Sequence, residues 1–457
     1  MNKRLSDIKN RFINRNGLLD LYFKVYIILL LIFSVNQSLA QPKDGFSEID
    51  VLHYKARIWP DIGNKTIKGK VSIQFLVKEA RPSGIMLDCG DLTIDSVYNR
   101  HEAVSFNVTN RQLHLDMKNN IQSGQTYELV ISYHGNPRRG ISFSPSIQQV
   151  FTVFHTSHWL VCKDHPDDKA TLQLNLVVPE GLQVVSTGAL TGKTALPDGR
   201  IDYQWHQPTA VPTYIFGFAI GSFRRHVDDQ GRIKLSFFGR DYSEHELARI
   251  FQETWGMLKF FEDRAGVPYP GTTFSLILAE GNISQEMADF AILRNSYGKQ
   301  VLGNEIDINL AAHELAHQWW GNHITCLNWQ HFWLNEGFAV FMSSAYKEFR
   351  FGIEEYLKDI DNYFQAYEKV AARDADKSLV FDNWDNPSAD DRILVYYKGA
   401  YVLHLLRNKL GEDAFWKGIR IYSRSNFGKS VVSADLQQAM EEASGGSLET
   451  FFKKWVY

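Results

Sequence analysis

A change of hydrophobic period near Ser243 constrains this chain more than any other feature. From about Glu48 to Phe223 the period is two: Val71, Ile73, Phe75 and Val77 alternate with polar residues, as do Tyr127, Leu129, Ile131 and Tyr133, and again Leu172, Leu174 and Leu176. Side chains that alternate this way leave opposite faces of a strand, so each run buries one face and wets the other. Ile62-Gly63-Asn64, Ser123-Gly124 and Asp198-Gly199 supply turns between runs, and Asp229-Gln230-Gly231 a turn in the last hairpin. The pattern predicts an N-terminal antiparallel β-sandwich of about 180 residues.

From Ser243 onward the period is helical. Ser243 with Glu246 forms a capping box, and Leu247, Phe251, Trp255, Leu258 and Phe261 form a stripe that ends near Gly266, a core face rather than a ligand site. Val267 to Gly271 is a turn, Thr273 to Leu278 a buried strand, and helices dominate after Ile306. A chain of 457 residues is long for one core. It is expected to be multidomain, with the sandwich over residues 41–235 and an α+β, mainly helical domain over residues 236–457.

Residues 1–40 read as an export signal. Lys3, Arg4, Lys9, Arg11, Arg15 and Lys24 precede the apolar run Val25 to Val35, and Ser38 and Ala40 are small enough for cleavage before Gln41. The run is too short to span a bilayer, so a secreted or periplasmic protein without a membrane span is expected; an uncleaved signal anchor is the competing reading. Without residues 1–40 the chain holds 43 Lys/Arg against 50 Asp/Glu, a formal charge of −7. No basic patch is evident, so no nucleic-acid partner is expected. Cys89, Cys162 and Cys326 are too few and too far apart for a disulfide framework.

The chemistry is concentrated in Asn309 to Asn322, Asn-Leu-Ala-Ala-His-Glu-Leu-Ala-His-Gln-Trp-Trp-Gly-Asn. His313 and His317 stand four apart among helix formers, which puts both imidazoles on one helix face, where they can grip one ion. Glu314 is placed to reach a water at that ion without ligating it, as a general base does. So short a motif arises by chance, and Glu336, nineteen positions after His317 in a second helical segment, supplies the third ligand. Two His, one Glu and a water make an open, catalytic zinc site.

His313-Glu-Leu-Ala-His317-Gln-Trp-Trp-Gly-Asn322, followed by Trp333-Leu-Asn-Glu336-Gly-Phe-Ala339, resembles the gluzincin metallopeptidases of the aminopeptidase N type. Cys162-Lys-Asp-His-Pro-Asp-Asp-Lys-Ala170 extends the resemblance into the N-terminal half. It implies a thermolysin-like catalytic domain and one Zn2+ per chain on His313, His317 and Glu336, with Glu314 as base and a peptide as substrate. Tyr396, three before Gly399, matches the family tyrosine that donates to the developing oxyanion; its neighbour Tyr397 is the alternative. Larger members append a long helical domain, whereas this chain stops 61 residues after Tyr396, which implies a short two-domain form with an open cleft.

The resemblance fails at the groups that hold a substrate's free amine. Aligning on Met287 puts Ala288 where the family has a glutamate, and counting back from Cys162 reaches Thr152 rather than an acid or amide. Glu286 and Asp289 are the adjacent carboxylates, so Glu286, Met287 and Asp289 are candidate substrate-binding residues. The expectation is a zinc peptidase with atypical recognition of the substrate N-terminus. The alternatives are a peptidase or amidase acting on blocked or internal bonds, and a non-catalytic peptide-binding protein on the same fold.

Overall fold

The computed structural model describes residues 49–78, 85–117, 121–381 and 387–457; the expected leader, residues 1–40, lies outside them. The alternating runs are strands. Thr66–Val77 and Thr126–Gly135 bury Val71, Ile73 and Phe75, and Leu129, Ile131 and Tyr133, on one face. They belong to an eight-stranded sheet with the order Ala189–Ala195, Arg200–Pro212, Lys169–Pro179, Ile49–Asp61, Thr66–Val77, Thr126–Gly135, Thr93–Asn99 and Glu102–Ala103. Its buried face shares one apolar core with a three-stranded and a four-stranded sheet, which makes the sandwich. Among the described residues of the sandwich the pairing departs from all-antiparallel at one place: Ile49–Asp61 runs parallel to Lys169–Pro179, from His53 opposite Thr171 to Ile58 opposite Leu176. A parallel pair cannot be closed by a hairpin, so its partners come from distant segments, 118 positions apart for His53 and Thr171.

A five-stranded sheet begins the second half, in the order Arg224–Asp228, Lys234–Gly239, Thr273–Ala279, Phe290–Arg294 and Gln285–Met287, the last being an antiparallel edge strand. The hairpin of its first two strands straddles the expected division at 235/236, and both arms pair within this sheet. Sheet pairing therefore changes just after Phe223. The stripe after Ser243 forms two helices, Glu244–Ile250 and Thr254–Ala265. Ser243 and Glu246 make the capping box, and the Thr254 hydroxyl donates to the Phe251 carbonyl at 2.7 Å, a local bond that competes with helix continuation at the break. Asn309–Ala316, Trp333–Phe351, Ile353–Ala371, Gly399–Leu410, Glu412–Asn426 and Ser433–Ser444 form the helical body. Among the described residues no helix is long and apolar enough to cross a membrane, and all three cysteines are buried and free.

The halves are joined by an apolar cluster of Phe151, Val185, Ala219 and Phe223 with Phe238, Ile277, Met287 and Ile292. Lys169 adds a polar pin, because its ammonium donates to the carbonyls of His323 at 2.7 Å and Lys429 at 2.9 Å, in the loops that flank the helical body. Burial pulls the Lys169 pKa from 10.5 down to about 7. Between those values the unfolded chain holds a proton that the folded chain has released, so this group makes stability rise with pH across that window. Urea midpoints of Lys169→Met are expected to rise less than those of the parent between pH 7 and pH 10; equal slopes would show that the ammonium does not titrate there.

Candidate metal centre and active-site cleft

The helix Asn309–Ala316 ends with His317 at its C-cap, which preserves the four-residue spacing and sets the imidazoles of His313 and His317 edge to face, Nε2 to Nε2 at 3.1 Å. The helix Trp333–Phe351 crosses it and brings Glu336 Oε2 to 3.2 Å from His313 Nε2 and 3.4 Å from His317 Nε2. Glu336 Oε2 is buried and has no hydrogen-bond partner. Two imidazole nitrogens and a carboxylate oxygen, each of a type that ligates a metal, thus converge within 3.4 Å of one another. A tetrahedral ion with bonds of about 2.0–2.2 Å has ligand-to-ligand edges of about 3.3–3.6 Å, within a few tenths of an ångström of this triangle, so the donor set fits zinc.

The flanking motif residues hold the triangle in place. His317 Nδ1 faces the Trp320 carbonyl at 3.0 Å, the bond that fixes a ring with its Nε2 turned to a metal. Gly321 sits at φ +136°, and a Cβ there would meet His317 Nδ1 at 2.7 Å. Gln318 and Asn322 donate to the Met287 carbonyl at 2.9 Å and 3.2 Å, which ties the edge strand Gln285–Met287 to the histidine helix. Asn309 donates to Asp359, which also accepts from Ser344 and Lys347 and so ties that helix to Trp333–Phe351 and Ile353–Ala371.

Tyr396 lies in a single π-helical turn, Leu394–Lys398, and its ring stacks on His313 with centroids 6.0 Å apart. π-Turns inside helices commonly mark functional positions. Tyr397 also lines the cleft but stacks on Tyr363 at 5.2 Å rather than on His313. The level of Tyr396 against Glu336 is set by a backbone contact: a Cβ on Gly337 would meet Gly399 Cα at 2.9 Å, and one on Gly399 would meet Gly337 Cα at 3.0 Å. This accounts for the glycines after Glu336 and three after Tyr396.

A cleft of about 510 Å³ opens onto the triangle, lined among others by Glu286, Glu314, Tyr396 and Phe154. Of the candidate amine-binding residues, Glu286 alone is in it. Glu286 Oε1 is buried and unpartnered, while Oε2 accepts from Gln285 Nε2. Asp289 is corrected: its carboxylate accepts from Tyr269 at 2.6 Å and Gln207 at 2.6 Å, away from the cleft. Met287 is corrected too, since its side chain packs into the junction of the halves beside Gly217. Thr152 is likewise spent, bonded to Phe218 at 2.8 Å. Glu286 lies within the edge strand Gln285–Met287, whereas Ala288 falls in the turn that follows it and packs into the sandwich core. Phe154 had no signal in the sequence, because its place depends on backbone conformation.

Taken with the protein's own charges alone, the pocket calls for a cation. Burial raises Glu286 to about 7 and Glu314 well above its ordinary value, the latter helped by Glu286 itself. Burial also acts to raise Glu336, but the two imidazoles override it and hold the carboxyl down at about 2. His317, despite burial, is pushed up to about 10 by Glu336 and Glu286. A larger cavity of about 850 Å³ at one end of the eight-stranded sheet gathers no such group of ligand-type side chains.

The sequence profile of the Peptidase family M1 domain matches residues 250–455, and that of the Peptidase M1 N-terminal domain matches residues 51–215. The chain belongs to peptidase family M1. The M1 relatives include Aminopeptidase 2 of Candida albicans, 23% identical over 90% of this chain and 47% of that protein, and Aminopeptidase N of Lactococcus lactis subsp. lactis, 25% identical over 86% and 49%. The chain spans about half the length of these curated relatives. An M1 zinc metallopeptidase from Deinococcus radiodurans has the same fold, with a TM-score of 0.75 and 23% identity over 89% of this chain and 93% of that one. The Deinococcus radiodurans protein is described as a zinc metallopeptidase, and the triangle here fits that ion.

Because the Gly337–Gly399 contact sets the position of Tyr396, Gly337→Ala is expected to lower kcat by about tenfold or more while zinc content stays at one per chain, since small misplacements at a reacting centre are costly. Full activity in a folded Gly337→Ala protein would separate that contact from catalysis.

Proposed function

We propose that this protein is a zinc-dependent aminopeptidase that binds the substrate's α-ammonium through Glu286. The observation that carries the reading is the buried, unpartnered Glu286 Oε1 in the same cleft as Glu314, Glu336 and Tyr396. An uncompensated carboxylate at that depth is costly, and a substrate ammonium is a partner that offsets the cost. The family match and relatives named as aminopeptidases support it, as does a neighbouring structure described as bound to a Tyr-Ser-Ala substrate.

His313, His317 and Glu336 hold the zinc, which supplies a Lewis-acid centre that acidifies water and polarises a carbonyl. Glu314 takes the proton from the attacking water and delivers it to the departing amine. Tyr396 donates a hydrogen bond to the oxygen as it becomes negative, a charge that exists only after attack and is stabilised only then. Glu286 fixes the first residue by its ammonium, so the bond presented to Glu314 is the first peptide bond of the chain. Residues 1–40 support export as their reading, with maturation before Gln41; N-terminal sequencing of the native protein is expected to begin at Gln41, and an intact leader would favour a signal anchor.

Acetylating a peptide's N-terminus is expected to lower kcat/KM by a hundredfold or more, about 2.7 kcal/mol. Equal cleavage of free and acetylated peptides would favour a peptidase of blocked or internal bonds. In the same assay Glu314→Gln is expected to keep its zinc and lose hydrolysis; a parent protein as inert as that variant would be a binding module.

A further inference from the structure

Phe154 lies between the strand Gln149–Thr152 and the turn Thr156–His158, with its backbone at φ +49°. A bulky residue rarely adopts that conformation, and it persists only where the surroundings impose it. The ring is wedged against Tyr214 at 5.5 Å, Trp329 at 5.9 Å and Phe332 at 6.2 Å between centroids. Two of these neighbours are tied to the metal site. Tyr214 accepts from Asn335 at 3.0 Å and donates to the Gly321 carbonyl at 3.1 Å, while Phe332 immediately precedes the helix that carries Glu336. The aromatic group therefore fixes the ring relative to the metal ligands.

Phe154 is only half-buried, and among the described residues that line the cleft it is the one contributed by the N-terminal sandwich. The polar clamp sought nearby is absent, because Thr152 spends its hydroxyl on the Phe218 backbone. This stretch of the sandwich therefore offers the cleft an aromatic wall. In an aminopeptidase the α-ammonium, the side chain and the reacting carbonyl leave one Cα of the substrate. With the ammonium at Glu286 and the carbonyl at Glu314 and Tyr396, the side chain has to be met by a nearby wall.

We infer that Phe154 is a specificity-determining residue whose ring packs against the side chain of the substrate's first residue, selecting peptides that begin with a large apolar or aromatic residue. Burying such a side chain on an aromatic face is favourable, whereas alanine or glutamate gains little there or loses hydration. The inference rests on the aminopeptidase reading of Glu286.

The test uses the zinc-loaded full chain with the p-nitroanilides of phenylalanine, leucine, alanine and glutamate, in the parent, Phe154→Ala and Phe154→Leu. The parent is expected to prefer phenylalanine over alanine by at least tenfold in kcat/KM. Phe154→Ala is expected to collapse that ratio by at least tenfold, mainly through KM, and Phe154→Leu, which keeps bulk against Trp329 and Phe332, to retain part of it. A parent without the preference, a ratio unchanged in both variants, or an equal loss for all four substrates would overturn the inference, the last showing that Phe154 only supports the fold. N-acetylated phenylalanine p-nitroanilide separates the two readings: cleavage as fast as that of the free amine refutes the ammonium site, whereas a large acetylation penalty with an unchanged ratio refutes only the role of Phe154.

Discussion

Three carboxylates and two imidazoles crowded into one buried pocket set the terms for the rest of this molecule. Glu286, Glu314 and Glu336 cannot all carry charge at such distances unless positive charge lies among them. Glu336 and Glu286 push the His317 pKa up despite its burial, the sign of a site that favours positive charge. A divalent ion and the proposed substrate ammonium would together balance three carboxylates, and binding and catalysis would then be two aspects of one electrostatic requirement. The surroundings are built to keep the groups from relaxing apart, with helices crossed at paired glycines and an edge strand tied down through its backbone carbonyl.

The division of labour between the halves follows from where strain and charge are placed. Ligands, base and tyrosine sit on helices or their caps, where rotamers are confined by packing. The sandwich reaches the cleft through a loop, whose conformation is imposed by the aromatic rings packed around Phe154. Lys169 and the cluster around Met287 make the junction part polar and part apolar, so neither half contributes to the cleft unless the other is folded against it.

Much of this was legible in the amino-acid order. The spacing of His313, His317 and Glu336 follows from helix geometry, and the alternation around Val71 and Leu129 follows from strand geometry; both are local rules with a fixed period. Glu286 was harder to recognise, because alignment on Met287 weighs identity at one position, whereas the side chain that faces the cleft is set by how the edge strand pairs with Phe290–Arg294. Asp289 looked equivalent until its partners Tyr269 and Gln207, distant in sequence, were seen to occupy it. The break at Thr254 turned on a side-chain bond that competes with the helix, and the reach of the second sheet back to Arg224 depended on non-local pairing. Phe154 was illegible, since nothing in its neighbours announces a left-handed backbone.

The parallel pair in the sandwich bears on how the chain is made. Ile49–Asp61 can zip to Thr66–Val77 as soon as both have emerged, but its other edge stays bare until Lys169–Pro179 has been synthesised. Pairing across so long a loop is slow, and a bare apolar edge invites association with other chains. Nascent chains are thus most prone to clump before that later strand arrives, and the eight-stranded layer closes from the middle only near the end of the sandwich's synthesis.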